Sequence, residues 1–197
     1  MRGLWPRGSK NTALPPGAFS PRAIADTAMW YHRQTRLRTR ADMDLLFGIH
    51  RDAGFDLLYY KLGGACWEYP SKVPGAGLCR EALPGQPLRD SSWGPDAMQA
   101  PQGVDRLALA VASARRCRMR LFGWIRLQNY GEHLQNGFPV SEFHRDHPEW
   151  WERHRDGSPC PAKMSLAFPE VRRFVLAVVR EACAYGLDGI LIDFLRQ

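Results

Sequence analysis

The chain alternates between short apolar runs and longer segments with helical periodicity. Four of the runs have the length and composition of buried strands, and three amphipathic segments lie between them. The predicted strands are residues 26–33, 55–62, 119–126 and 189–194. Strands that are apolar throughout and that alternate with helices are typical of a parallel sheet covered by helices. The pattern therefore predicts an α/β fold.

The predicted helices have recognisable beginnings and ends. Thr39 and Asp42 have the spacing of a capping box before the first helix, and Gly54 is suited to end it. The second helix is expected from about Val104 to Arg116, and the third begins at Pro169 and ends at Gly186. The stripes expected to face the core are Leu45, Leu46, Ile49 and Ala53 in the first helix, Leu107, Val111 and Ala114 in the second, and Val171, Phe174, Val175, Val178 and Ala182 in the third.

Long irregular segments follow the second and third predicted strands, over residues 63–103 and 127–165, with a short amphipathic helix expected from Pro148 to Arg153. In a β/α barrel the loops after the strands carry the chemistry, so this asymmetry predicts a partial (β/α)8 TIM barrel of about four β/α units. Residues 1–24 are expected to be an irregular lead-in, and residues 25–197 the N-terminal half of a barrel, truncated after its fourth strand. A doubly wound sheet is the alternative fold, although no Gly-x-Gly-x-x-Gly or Walker loop is present.

Composition and charge narrow the classes of partner. The net charge is +7, but the basic residues are spread along the chain with local clusters only at 36–40 and 115–120, which argues against a nucleic-acid partner. The five cysteines are an odd number, so they cannot form a complete disulfide framework, and Cys117 and Cys183 are expected on apolar helix faces. No segment resembles a secretory signal or a membrane span, and we expect no membrane partner and, by default, a cytoplasmic location.

Asp193 is the leading candidate for catalysis. A carboxylate within Ile-Leu-Ile-Asp-Phe is costly unless it lies at the end of the strand and faces a polar site. Two roles remain open, a nucleophile or general acid/base and a structural ion pair with Arg196 or another buried cation. Asp188 begins the same strand at the opposite end, and we expect it to be a turn or capping residue.

Polar and aromatic residues at or after the strand exits are candidates for substrate binding. Side chains that hydrogen-bond hydroxyl groups, beside aromatic rings that stack on a sugar face, fit a carbohydrate site. The alternative is a set of polar loops whose side chains bond to their own backbone. The predicted substrate-binding residues are His32, Lys61, Trp67, Arg126, Asn129, Tyr130 and Arg196.

Three histidines, His144, His147 and His154, lie close together in the segment after the third strand. No cysteine or carboxylate pattern completes a standard metal site around them. We therefore predict neither a metal nor a cofactor.

Five stretches, in order along the chain, carry a resemblance to a known family: residues 53–60, 69–72, 121–126, 147–150 and 188–196. With these motifs the chain resembles the glycosyl hydrolase-like 10 family, whose domain is a TIM barrel. The resemblance implies a (β/α)8 barrel that acts on glycosidic bonds, with Asp193 at the position of the acidic residue closing the family's fourth strand. Two departures are that everything after that strand is missing and that Cys117 stands where a glycine often ends the second helix.

The sequence therefore predicts a glycoside hydrolase-like protein with a carbohydrate substrate, a fragment that lacks part of its active site. Glycoside hydrolysis usually needs two carboxyl groups about 5–10 Å apart, and Asp193 is the only strong candidate. Glu68, Glu132 and Glu142 lie in long loops and are alternatives to a second carboxylate from the missing half. A non-catalytic carbohydrate-binding half-barrel and an unrelated α/β enzyme are the competing functions. We expect the chain alone to be inactive and to self-associate through exposed strand edges.

Overall fold

The computed structural model describes residues 23–26, 39–63, 67, 69–77, 104–127 and 140–194. The strands are β1 (Ala23–Asp26), β2 (Leu57–Gly63), β3 (Arg120–Arg126), β4 (Trp151–Arg153), β5 (Pro159–Met164) and β6 (Gly189–Asp193). The helices are α1 (Arg40–Asp52), α2 (Arg106–Cys117), α3 (Glu142–Asp146) and α4 (Pro169–Ala184), with a 3-10 turn at Pro148–Trp150. Within these ranges, no helix has the length and apolar character needed to cross a membrane.

Strands β1, β2, β3 and β6 form one parallel sheet, in that order. Tyr59 of β2 pairs with Phe122 of β3, and Arg126 of β3 pairs with Asp193 of β6. The predicted α/β fold, with four parallel strands in sequential order, is therefore confirmed. Because the strands are parallel, their carboxyl ends meet along one side of the sheet, which we call the carboxyl edge.

The first strand lies earlier in the chain than the apolar pattern indicated. We predicted residues 26–33, whereas β1 spans Ala23–Asp26 and shares only Asp26 with that range. The remaining predicted residues, 27–33, lie outside the described part of the chain.

Helix α1 begins as predicted. Thr39 is its N-cap, the Thr39 side chain accepts a hydrogen bond from the Asp42 backbone N–H, and the Asp42 carboxylate accepts one from the Thr39 backbone N–H. The helix ends at Asp52, and Gly54 follows with a φ of 91°, a left-handed conformation that glycine adopts at little cost. The capping box and the C-terminal glycine are both confirmed.

The buried face of α1 differs from the predicted stripe, which was wrong at three of its four positions. Leu46 is buried, but Leu45 and Ile49 are 57 % and 44 % exposed, and Ala53 is also exposed. The buried stripe is instead Met43, Leu46, Phe47 and His50. His50 was not counted as a core residue, yet its Nδ1 lies 2.8 Å from the Leu46 carbonyl oxygen, and this hydrogen bond makes its burial tolerable.

Helix α2 agrees with its prediction, since Leu107, Val111 and Ala114 are all buried. Asp105 caps its start, and Arg118 ends it with a φ of 55°, so an arginine adopts the left-handed conformation that the sequence pattern would assign to glycine. Cys117 is buried as expected. Cys183 of α4 was predicted to lie on an apolar face but is exposed, because the core stripe of that helix passes through Val178 and Ala182.

The segment between β3 and α4 contains secondary structure that was not predicted. Its described part holds the short helix α3, the 3-10 turn and the antiparallel hairpin of β4 and β5. The predicted amphipathic helix from Pro148 to Arg153 is therefore wrong, because the backbone forms one 3-10 turn and then enters β4 at Trp151.

The core lies between one face of the sheet and the helices. Alternate residues of each strand enter it, as period-2 geometry requires. From the strands these are Leu58, Tyr60 and Leu62 of β2, Leu121 and Ile125 of β3, and Ile190 of β6. Gly123 lies on the same face, and a Cβ atom there would come within 2.5 Å of Leu62 Cδ1. The residues between these positions, including Asp193, lie on the opposite face of the sheet.

Candidate active site at the carboxyl edge of the sheet

The face of the sheet away from the helices carries the charged residues predicted at the strand exits. Register pairs Lys61 of β2 with Trp124 of β3, and Arg126 of β3 with Asp193 of β6. Residues paired across parallel strands present their side chains on the same face, so these four belong to one surface. We call them the edge cluster.

Asp193 is held by two neighbours from β3. The indole Nε1–H of Trp124 donates a hydrogen bond of 3.1 Å to Asp193 Oδ2, and Arg126 Nε lies 3.8 Å from the same oxygen. The guanidinium carbon of Arg126 is also 4.4 Å from the centroid of the Trp124 ring, which is the geometry of a cation–π contact. The carboxylate therefore has a fixed orientation and lies beside a positive charge.

This group is shielded from water. The side chains of Arg126 and Asp193 are 6 % and 13 % exposed, and the Lys61 residue is 4 % exposed. Interactions between charges are stronger in such surroundings than at an open surface, and burial of either charge alone would be costly. The arrangement can therefore bind a polar ligand or stabilise a developing charge at the carboxyl end of β6.

The structure brings Asp193, Arg126 and Lys61 to one edge, as the alternation of strands and helices predicted. It also shows that the described cation beside Asp193 is Arg126. Arg196, the alternative partner predicted for Asp193, lies outside the described part of the chain. Three predicted binding residues, His32, Asn129 and Tyr130, also lie outside it.

Trp67 was expected to stack on a sugar. It lies in the core, is 7 % exposed and forms an isolated bridge with Gly63 at the end of β2. Little of the Trp67 ring is accessible, so its position does not favour stacking on a sugar.

Trp124 is the member of the edge cluster that the sequence reasoning missed. The signal was present, because Trp124 precedes Arg126 by two residues in a predicted strand and period-2 alternation puts both on one face. An aromatic residue inside an apolar strand is most often a core residue, so the pattern alone does not distinguish Trp124 from one.

Asp188, at the other end of β6, has a structural role. Its carboxylate accepts a hydrogen bond of 2.8 Å from the Leu121 backbone N–H, and its own N–H donates to the Leu121 carbonyl. It thus fixes β6 against β3 at the edge opposite Asp193, consistent with the non-catalytic role expected for it.

The segment after β2 is fastened to α4 by one carboxylate. Glu181 accepts hydrogen bonds from the Tyr69 hydroxyl at 3.1 Å, the Ser71 hydroxyl at 2.5 Å and the Lys72 backbone N–H at 2.7 Å. Burial, reinforced by the Glu181 charge, raises the pKa of the Tyr69 phenol. These contacts hold residues 69–72 against the helix, next to the segment that carries Trp67.

Two of the three histidines that suggested a metal site, His144 and His147, have other side-chain contacts. The ring Nε2 of His144 bonds to the Pro161 carbonyl, and burial lowers the pKa of His144 to about 4, so the ring is neutral at neutral pH. His147 stacks on Trp150 at 3.9 Å between centroids and bonds to Glu149. Among the residues that the structure describes, no group of three or more metal-ligating side chains is found.

No family model and no curated protein matches the sequence. Solved structures do match the fold. A hypothetical protein from Ruminiclostridium thermocellum ATCC 27405 has a TM-score of 0.55 at 10 % identity, over 89 % of this chain and 76 % of that one. A noncanonic maltogenic α-amylase, AmyB, from Thermotoga neapolitana has a TM-score of 0.50 at 15 % identity, over 88 % of this chain and 38 % of that one.

A weaker likeness is to a β-N-acetylhexosaminidase, with a TM-score of 0.40 at 17 % identity, over 73 % of this chain and 29 % of that one. At this score the likeness carries no information about the chain. The chain spans about three quarters of the first of these structures and well under half of the other two. At such low identities the likenesses establish the fold alone, an α/β arrangement with a parallel sheet.

Proposed function

We propose that the four-stranded sheet is an arc of a (β/α)8 barrel and that its carboxyl edge acts on glycosidic bonds of an oligo- or polysaccharide. The sequential parallel strands and their intervening helices have the order of a barrel, and the long segments follow the strands. The motifs resembling the glycosyl hydrolase-like 10 family and the fold shared with a maltogenic α-amylase agree with this proposal.

The observation that carries the proposal is the edge cluster itself. Asp193 lies at the end of a parallel strand, is oriented by an indole N–H and has a guanidinium beside it. In this proposal Asp193 is the nucleophile or the general acid/base, and Arg126 and Lys61 bind substrate hydroxyls. His32, Asn129, Tyr130 and Arg196 remain predicted contributors to the same edge.

Hydrolysis needs a second carboxyl group, and this favours a second candidate function. Within the described part of the chain, Asp193 is the one carboxylate of the edge cluster, while the Glu142 carboxylate lies against Gly77. With the other carboxylate supplied from elsewhere, this chain alone would bind carbohydrate without hydrolysing it. A non-catalytic carbohydrate-binding half-barrel is therefore the alternative.

Two arginines on the same face of β3 give a matched test. Arg126 is at the carboxyl edge, and Arg120 is at the opposite end of the strand, paired with Asp56. Calorimetry with a panel of oligosaccharides, and turnover of chromogenic glycosides, would be measured for wild type, Arg126→Gln and Arg120→Gln. We expect saccharide binding that Arg126→Gln weakens at least tenfold and that Arg120→Gln leaves unchanged.

The outcomes separate the two functions. Turnover lost in Arg126→Gln supports a hydrolase, and binding without turnover supports the binding module. Absence of any saccharide binding by the wild type, or equal losses in the two variants, would contradict both.

A further inference from the structure

The exposed apolar side chains lie at the two ends of the α/β layer. The strand order β1-β2-β3-β6 places α1 at one end and α4 with β6 at the other, and α2 lies between them. Apart from Phe168 at the N-cap of α4, the large apolar side chains exposed among the described residues are Leu45 and Ile49 of α1, Leu176 of α4, and Leu191, Ile192 and Phe194 at or after β6. Exposed apolar residues grouped in this way indicate interaction surfaces.

At one end, the exposed residues include the flank of α4 that faces away from α2. The Tyr185 hydroxyl, at the C-terminal end of α4, donates a hydrogen bond of 2.8 Å to Asp105 at the start of α2. Leu176 precedes Tyr185 by about two and a half helical turns, so it lies on the opposite flank, above the outer edge of β6. Ile192 lies on the helix face of β6, because it alternates with Ile190, which packs on the core. These residues border one surface, which we call the α4 surface and define as Arg172, Leu176, Arg180 and Ile192.

At the other end, the exposed residues lie on the face of α1 that contacts neither the core nor α2. Asp44 marks the side toward α2, because its carboxylate accepts a hydrogen bond of 2.6 Å from the Ser113 hydroxyl. Leu45 and Ile49 are 57 % and 44 % exposed, and a spacing of four residues makes them neighbours on the helix surface. We define the α1 surface as Asp42, Leu45, Ile49 and Asp52.

The α4 surface is basic. Arg172 and Arg180 stand four residues before and four residues after Leu176, so the three side chains form one row along the helix. Both arginines are exposed, and Arg172 donates to the neutral carbonyl oxygens of Leu166 and Ala167, which leaves its positive charge in place. A partner for this surface therefore needs apolar side chains flanked by acids.

The α1 surface has this composition. Asp42 stands three residues before Leu45, and Asp52 stands three residues after Ile49. At 1.5 Å per residue the two acids are about 15 Å apart along the helix, close to the ~12 Å between the two arginines of the α4 surface. Asp52 also pairs with Arg51, so the apolar pair contributes more to binding than the exposed charges, which serve mainly to orient the partner.

We infer that the α1 surface of one copy of the chain binds the α4 surface of a second copy. The apolar residues of the two surfaces meet, and the acids at the ends of one row face the bases at the ends of the other. Because the two surfaces lie at opposite ends of each copy, the contact is head-to-tail. Neither surface includes a residue of the edge cluster, so the inference stands or falls independently of the proposed function.

Single substitutions at exposed positions of the two surfaces test the contact by sedimentation. Leu45→Lys places a cation opposite the partner's bases, and Leu176→Glu places an acid opposite the partner's acids. Ala108→Lys, at an exposed position of α2 in the middle of the layer, is the control. We expect the wild type to associate, each surface variant to raise the dissociation constant at least tenfold, and Ala108→Lys to leave it unchanged. Circular dichroism verifies that the variants are folded.

A mixture of the two surface variants distinguishes head-to-tail association from self-pairing of one surface. Leu45→Lys keeps an intact α4 surface, and Leu176→Glu keeps an intact α1 surface. An equimolar mixture should therefore form a 1:1 complex at a concentration where each variant alone is a monomer. If the mixture stays monomeric, or if only Leu176→Glu weakens association, the inference is wrong. A monomeric wild type, or an equal loss in Ala108→Lys, would also overturn it.

Discussion

At the scale of the residue, His144 makes the fold sensitive to acid. Burial lowers its pKa from 6.5 to about 4, so the folded state favours the neutral ring. The unfolded chain binds a proton as the pH falls below 6.5, whereas the folded chain does so only near pH 4. The contribution of the neutral His144 ring to the stability of the folded state is therefore complete above about pH 6.5, and it is lost as the pH falls toward 4. It amounts to about 3 kcal/mol, from 1.36 kcal/mol per pH unit.

Urea unfolding between pH 4 and pH 7 measures this effect. We expect the free energy of unfolding to fall toward pH 4 in the wild type and in His154→Gln, a change at an exposed histidine. In His144→Phe the dependence should be smaller by about 3 kcal/mol. Equal slopes in the wild type and His144→Phe would show that the ring is not held neutral.

At the scale of the element, Glu181 fastens the segment after β2 to α4. Glu181→Ala removes the acceptor of three hydrogen bonds, so residues 69–72 should detach more often and stability should fall by about 2 kcal/mol. Glu170→Ala changes an acid of the same helix that pairs with exposed Arg173 in the described part of the chain, and it should cost less than about 0.5 kcal/mol. Hydrogen exchange of the Lys72 amide checks the result, and unchanged protection in Glu181→Ala would contradict it.

The capping box of α1 is a second element whose contribution can be measured. Thr39→Ala removes the side-chain acceptor for the Asp42 N–H and should lower the free energy of unfolding by about 1 kcal/mol. Asp52→Ala, at the exposed far end of the same helix, should have a much smaller effect. Thermal denaturation of the two variants compares them, and losses of equal size would show that the cap contributes nothing specific.

Local signals explain which elements the sequence predicts. Three elements begin close to where the sequence predicts them: α1 after the capping box at Thr39, α4 at Pro169, and β6 at the apolar run from Gly189. Each of these signals depends only on residues that are neighbours along the chain. The face of α1 was misjudged because the predicted stripe was all apolar, whereas the buried stripe shares Leu46 with it and includes the polar His50 beside Phe47. The β4–β5 hairpin has short strands with two prolines, so no period was visible.

Part of the candidate site was also predictable from the sequence. Parallel strands bring their exits together, and this alone placed Asp193 beside Arg126. The bond from Trp124 and the burial of Trp67 depend on how side chains from distant segments pack, and a sequence pattern does not contain that information.

At the scale of the whole molecule, the last strand and helix leave apolar surface uncovered. Leu176 of α4, and Leu191, Ile192 and Phe194 at or after β6, are 36–49 % exposed. Among the described residues the outer edge of β6 has no partner strand, and exposed apolar residues beside such an edge favour association. We therefore expect the isolated chain to self-associate in light scattering, and Leu176→Glu together with Ile192→Lys to reduce the association. A cooperatively melting wild-type monomer would contradict this expectation.

The central claim is that Asp193 serves a ligand and not only the fold, and one comparison tests it. Asp193→Asn and Asp188→Asn make the same change at the two ends of β6, and saccharide binding, turnover and melting temperature are measured on both. We predict that binding or turnover per folded molecule falls about 100-fold in Asp193→Asn, with some loss of stability because buried Arg126 keeps its charge, and that Asp188→Asn retains the binding and turnover of the wild type. If Asp193→Asn instead loses about 3–5 kcal/mol of stability, as removal of one partner from a buried pair with Arg126 does, and the folded fraction keeps its function, then Asp193 is a structural residue and the account is wrong.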